Sequence, residues 1–131
     1  MGQMSESQNF SILIVESDVL VRMPVAEYLR ECGYRVLESA NCDEAIDVLK
    51  RNDPKVDVVI VDPRNASSGT TGFDIAKWIR ENRPDVEVVF SGTPQQAAAV
   101  AGDLCAEGPD PSPLHPQLLE QRIRQLRASR R

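Results

Sequence analysis

Short runs of aliphatic and β-branched residues alternate along this chain with longer amphipathic segments, and that alternation leaves few folds open. Ser11–Val15 (SILIV) is apolar almost throughout. Such a strand needs cover on both faces, as in a parallel sheet flanked by helices. Asp18 then stands as the cap of a helix in which Val21, Val25, Tyr28 and Leu29 share a face and Gly33 provides the stop. Pro24 lies inside this segment, which predicts either kinked first turns or a later helix start. Tyr34–Glu38 reads as a second strand and Cys42–Arg51 as a helix burying Ala45, Ile46, Val48 and Leu49, ended by Asn52, Asp53 and Pro54. Val56–Val61 (VDVVIV) is the most strand-like run, expected at the sheet centre and ending at Asp62.

A loop rich in Ser, Thr and Gly follows, then a helix over Phe73–Asn82 with Phe73, Ala76, Ile79 and Trp78 inward, and a fourth strand over Val86–Phe90. Gln95–Cys105 has an alanine-rich helical composition weakened by Gly102. Pro109, Pro111, Pro113 and Pro116 confine any fifth strand to a short piece at the sheet edge. Gln117–Leu126 closes the chain as a helix with Leu118, Leu119, Ile123 and Leu126 inward. Strands alternating with helices imply an α/β fold. At 131 residues the chain is one domain, large enough to hold a core without disulfides or a structural metal. Residues 1–9 are expected to be a flexible lead, and 129–131 a basic tail.

Charge is segregated. Arg122, Arg124, Arg127, Arg130 and Arg131 are five of 15 cations, and the 20 acids all precede residue 121, so residues 1–121 carry a net charge near −10. Such a body repels nucleic acid, and the terminal arginines read as a solvated helix end favourable to the helix dipole. The three cysteines, Cys32, Cys42 and Cys105, have no C-x-x-C spacing, and their odd number suggests no closed disulfide framework. A reducing cytoplasm is the expected location, with no export signal and no membrane span. His115, beside Pro116, reads as a turn residue, and a single histidine with scattered cysteines makes no zinc site.

In an open parallel sheet, ligands bind beyond the C-terminal ends of the strands. The first strand delivers Glu16, Ser17 and Asp18 there, the third Asp62, the fourth Ser91, and the fifth region Ser112. Asp18 is read as a helix cap. Glu16 and Asp62 each end an apolar run and are read as a site for a hard cation such as Mg²⁺. A flavin-phosphate binder on the same sheet would place a Ser/Thr/Gly loop after the first strand, where this chain has acids that repel phosphate.

ILIVESD, VVIVD ending at Asp62, GFDIAKWIR, VVFSG with Ser91, and HPQLLEQRIRQL, taken in this order and spacing, resemble the receiver domain of two-component response regulators over residues 10–128. The resemblance implies a flavodoxin-like (CheY-like) three-layer sandwich, with a five-stranded parallel sheet of order 2-1-3-4-5 flanked by five helices. It implies that Asp62 is the phosphoacceptor and that Glu16, Asp62 and the Arg64 backbone carbonyl hold Mg²⁺. Ser91 is then the switch hydroxyl contacting the phosphoryl group. A carboxylate nucleophile forms the acyl phosphate while a divalent cation offsets charge on the transferring group.

Four departures bear on this. Ser17 stands where a second acidic ligand is usual, so the metal should bind weakly. Ser112-Pro113 is the match to the Lys-Pro motif, so the phosphoryl-contacting lysine is missing. The loop from Asp62 to Gly72 is about two residues longer than the common form, with Ala66 in place of the usual proline. Arg64 adds a guanidinium, which either partly substitutes for the lysine or the weakened metal, or is a solvated surface residue.

Two functions follow from the resemblance. The first is a receiver taking a phosphoryl group from a histidine kinase or phosphotransfer protein, without an output domain on this chain. The second is a degenerate pseudo-receiver acting as a phosphorylation-independent protein–protein interaction module. Neither is an autonomous enzyme. A homodimer is a possible assembly, with no nucleic acid or membrane partner.

Overall fold

The computed structural model describes residues 10–67, 69–110 and 114–129. The chain order is β1 (Ser11–Val15), α1 (Val19–Glu31), β2 (Arg35–Ser39), α2 (Cys42–Arg51), β3 (Val58–Val61), β4 (Ala66–Ser67), β5 (Thr70–Thr71), α3 (Gly72–Asn82), β6 (Glu87–Phe90), α4 (Pro94–Ala106) and α5 (Pro116–Ser129). Four of these strands form a parallel sheet in the order β2-β1-β3-β6, while β4 and β5 make a small separate antiparallel ribbon.

Strand period and burial divide the core in two. Successive side chains leave a strand on opposite faces. Ile12 and Ile14 of β1, with Val58 and Ile60 of β3, therefore pack against α1, α4 and α5. Leu13, Val15, Val59 and Val61 face the other way, onto Ala45 and Leu49 of α2 and Ile75 and Ile79 of α3. The result is a sheet between two helical layers.

Local signals set most helix ends. Asp18 caps α1 by accepting from the Leu20 N–H at 3.0 Å. Asn41 caps α2, and Thr71 with Asp74 forms a reciprocal capping box at the start of α3. Asn52 closes α2 in a left-handed conformation at φ 53°. Helix α1 runs through Pro24, which is buried on its inner side. Proline there leaves the Leu20 carbonyl without its helical donor. His115 is the turn residue expected, its ring Nδ1 accepting from the Gln117 N–H at 3.2 Å.

Several expectations need correction. Phe73 is 63 % exposed, so the inner face of α3 is Gly72, Ile75 and Ile79, and Phe73 instead meets Phe90 at 5.3 Å between ring centroids. Leu118 is likewise half-exposed, and α5 buries Leu119 and Ile123. Cys32 and Cys105 are joined in a disulfide, leaving Cys42 as the free, buried thiol. The odd count did not exclude a bridge because two cysteines 73 positions apart meet only after α1 and α4 pack together. The terminal arginines are also not simply solvated: Arg122 pairs with Glu27 at 3.2 Å and Arg127 with Asp18 at 3.5 Å, tying α5 along α1. Among the described residues no fifth strand lies beside β6, and Ser112 falls outside those residues.

Replacing Leu29, which is fully buried between α1 and the sheet, with Ala should lower stability by about 2–5 kcal/mol. The half-exposed Leu118→Ala should cost less than about 1 kcal/mol. Urea unfolding of the two variants measures the difference.

Candidate functional site

Because the strands are parallel, their C-terminal ends share one sheet edge. Glu16, Asp62 and Ser91 follow β1, β3 and β6 directly, and all three line one shallow cleft. Its apolar wall is Val21 and Val25 from α1 and Ala97 from α4. Ladder hydrogen bonds fix two of the three positions: the Glu16 N–H donates to Ser39 O at 3.0 Å, and the Ser91 N–H to Val61 O at 2.9 Å. Ser91 is 5 % exposed.

The loop after β3 is equally constrained. The Asn65 N–H donates to the Asp62 carbonyl at 2.9 Å, and the Gly72 N–H to the Asn65 carbonyl at 2.9 Å. A Cβ on Gly72 would lie 2.5 Å from the Asp62 carbonyl oxygen, so only glycine lets α3 begin this close to the site. The 69–72 GTTG stretch supplies β5 of the ribbon, the α3 cap Thr71 and the first residue of α3.

Glu16 accepts from the Asp18 N–H at 3.0 Å, and its backbone carbonyl accepts from Arg22 Nη1 at 2.8 Å. Burial pushes its carboxyl above the ordinary range; the Asp18 N–H pulls it down, while Asp62 and Asp18 add repulsion against a lowering by Arg22. Asp18 is spent as the α1 cap and the partner of Arg127. Ser17 is exposed.

Arg64 is the main addition that the fold makes at this edge. Its backbone N–H donates to Asp62 Oδ1 at 2.8 Å and its Nε reaches the same oxygen at 3.4 Å. Its Nη2 donates to the Gly92 carbonyl on the neighbouring loop. The Gly92 N–H in turn donates to Gln96 Oε1 at 2.7 Å, while the Gln96 N–H donates to Thr93 Oγ1 at 3.0 Å. A continuous polar path thus joins Asp62, Arg64, the Gly92 loop and the first turn of α4. The T-x-x-Q of Thr93 and Gln96 is a legible capping signature, but its link to Arg64 has no local sequence signal.

The donor set suits a tightly held divalent cation poorly. Two acidic residues, Glu16 and Asp62, line the cleft, and the Asp62 carboxylate already meets a guanidinium. Among the described residues no three of His, Cys, Asp and Glu are grouped as metal ligands. A generic receiver capacity for Mg²⁺ remains.

A parallel sheet between helical layers, with an acid–hydroxyl cleft at the strand ends, defines the receiver class of flavodoxin-like domains. The chain belongs to the response regulator receiver domain family, whose model matches residues 12–108. It is 34 % identical over 86 residues to the transcriptional regulatory protein PdtaR of Mycobacterium tuberculosis, covering 65 % of this chain and 40 % of that protein. It is 38 % identical over 72 residues to a probable transcriptional regulator, ycf29, of Cyanophora paradoxa, covering 55 % of this chain and 32 % of that protein. The chain thus spans well under half the length of these relatives. A putative response regulator from Chloroflexus aurantiacus superposes with a TM-score of 0.56 at 26 % identity, covering 91 % of this chain and 98 % of that one. Receivers accept a phosphoryl group and are not autonomous enzymes. No helix among the described residues is long and apolar enough to cross a membrane.

The raised Glu16 carboxyl has a consequence for stability. Folding disfavours its charged form, so the penalty is absent at low pH and grows as pH rises from the ordinary Glu value through the raised folded one. Glu16→Gln should therefore stabilise the domain at pH 7 and change it little at pH 3.5, as read from urea midpoints at both pH values.

Proposed function

We propose that this receiver acts as a protein–protein interaction module whose Asp62 is held in an internal ion pair rather than used as an obligatory phosphoacceptor. The observation that carries the reading is Ser17, exposed where a second acidic ligand would stand, and Arg64 adds to it by joining Asp62 to the Gly92 carbonyl. The Arg64 side chain is 73 % exposed, so the pair is worth about 0–1 kcal/mol, or up to roughly fivefold against a competing cation. Ser17 in place of a second acid weighs more, because a hard cation depends on the number of its carboxylate ligands. Together they favour a site satisfied by the protein's own cation over one that recruits a metal and a phosphoryl group.

The convergence of Glu16, Asp62 and Ser91 on one cleft supports a second reading. In it, Asp62 takes a phosphoryl group from a histidine kinase or phosphotransfer protein, with Glu16, Asp62 and the Arg64 carbonyl as the Mg²⁺ ligands and Ser91 contacting the phosphoryl oxygens. Both readings keep the order 2-1-3-4-5 expected of the family; residues 111–113, with Ser112, lie outside the described residues. Both also allow a second copy to pair through α4 and α5.

Beryllofluoride titration with millimolar Mg²⁺, followed by Trp78 fluorescence and amide NMR, separates them. The wild type should give no saturable shift. Ser17→Asp should strengthen Mg²⁺ binding by about tenfold or more, and Arg64→Ala by roughly fivefold at most. Saturable, Mg²⁺-dependent shifts in the wild type that vanish in Asp62→Asn would establish the phosphoacceptor reading instead.

A further inference from the structure

The disulfide joins the far ends of the two helices whose near ends build the cleft. Cys32 is the C-cap of α1 and Cys105 lies in the last turn of α4, with Cα atoms 5.4 Å apart. At its other end α1 carries the Asp18 cap and the cleft residues Val21, Arg22 and Val25. At its other end α4 carries Gln96, which holds the Gly92 N–H, and Ala97 in the cleft wall. The bond thus ties α1 to α4 at the end of each helix away from the cleft.

The fully buried residues of α4 are small, Ala97, Ala98, Ala101 and Cys105, with Val100 and Leu104 half-buried against the same core. Alanines bury little area each, so the position of α4 depends in part on specific ties. Besides the disulfide these include the Tyr34 hydroxyl, which donates to the Leu104 carbonyl at 2.5 Å. The bond is covered by the segment that follows α4: the Gly108 N–H donates to Cys105 O at 3.0 Å and the Asp110 N–H to Cys32 O at 3.3 Å. A Cβ on Gly108 would stand 3.0 Å from the Cys32 carbonyl oxygen, so that cover sits close.

We propose that Cys32–Cys105 is a redox site that sets the spacing of α1 and α4 and, through Gln96 and Gly92, the contact between Arg64 and Asp62. The co-reactant is a protein or small-molecule dithiol. One of its thiolates attacks a sulfur of the bond and forms a mixed disulfide; its second thiolate then displaces the protein thiol. Two electrons and two protons pass to Cys32 and Cys105, and the dithiol leaves as a disulfide. Both sulfurs are buried, at 0 % and 3 % residue exposure, so exchange requires the 107–110 segment to lift. This input does not pass through phosphoryl transfer, and the inference stands whichever use Asp62 has.

The test uses the full chain purified without reductant. Alkylation after unfolding should label one cysteine, Cys42, and label three after dithiothreitol. Amide NMR of the oxidised and reduced wild type should show shifts at Ser91, Gly92, Thr93 and Gln96 that reverse with glutathione disulfide. The Cys32→Ser/Cys105→Ser variant should match the reduced spectrum and ignore dithiothreitol. Asp62→Asn should keep the redox-dependent shifts at Thr93 and Gln96, which precede the Arg64–Asp62 contact in the chain of ties, and this separates the result from any outcome with beryllofluoride. Three labelled cysteines even after glutathione disulfide treatment would overturn the proposal. So would shifts confined to residues 30–35 and 102–110 when the bond is broken.

Discussion

Both faces of the two central strands are sealed, and the remaining architecture answers to that condition. All five residues of β1 and all four of β3 are buried. Their side chains alternate between faces, so each face needs its own helical layer: α1, α4 and α5 on one, α2 and α3 on the other. A sheet covered in this way offers polar groups an exit only at its strand ends. Glu16, Asp62 and Ser91 emerge at one such edge because parallel strands end there together. The cleft is therefore a consequence of the layering.

Gathering carboxylates at one edge creates a charge that has to be met locally. Three arginines from different parts of the chain do so: Arg22 against the Glu16 carbonyl and Glu38, Arg64 against Asp62, and Arg127 against Asp18. None of these pairs is deeply buried, and each contributes modestly. Their combined effect is to offset part of the charge at this edge. Arg64 has a further role, because its second contact is the loop leading into α4. A change in α4 reaches Asp62 through Gly92, and the helix itself is fastened to α1 by the Cys32–Cys105 bond.

Much of this was legible in the linear order of residues. The strand runs, the Asp18 cap, the span of α2 and the convergence of Glu16, Asp62 and Ser91 all follow from short-range periodicity and from where apolar runs stop. The failures share a physical cause. Phe73 falls on the apolar stripe of α3 by spacing alone, yet it lies at the first turn, beyond the sheet, where Phe90 is its neighbour. Leu118 has the same fate at the first turn of α5. Helical periodicity assigns a face but not how far along the helix that face stays covered.

The sequence by itself determined the layered α/β architecture, the identity of the acids at the strand ends and the loss of an acid at Ser17, because these depend on patterns within a few residues. Only the tertiary structure decided what those acids meet. The contact of Arg64 with the Gly92 carbonyl joins loops after neighbouring strands, while the arginines of α5 on Glu27 and Asp18 and the pairing of Cys32 with Cys105 join residues brought together by helix packing. Whether such groups lie within bonding distance depends on how helices settle on a sheet, and no spacing along the chain encodes that distance directly.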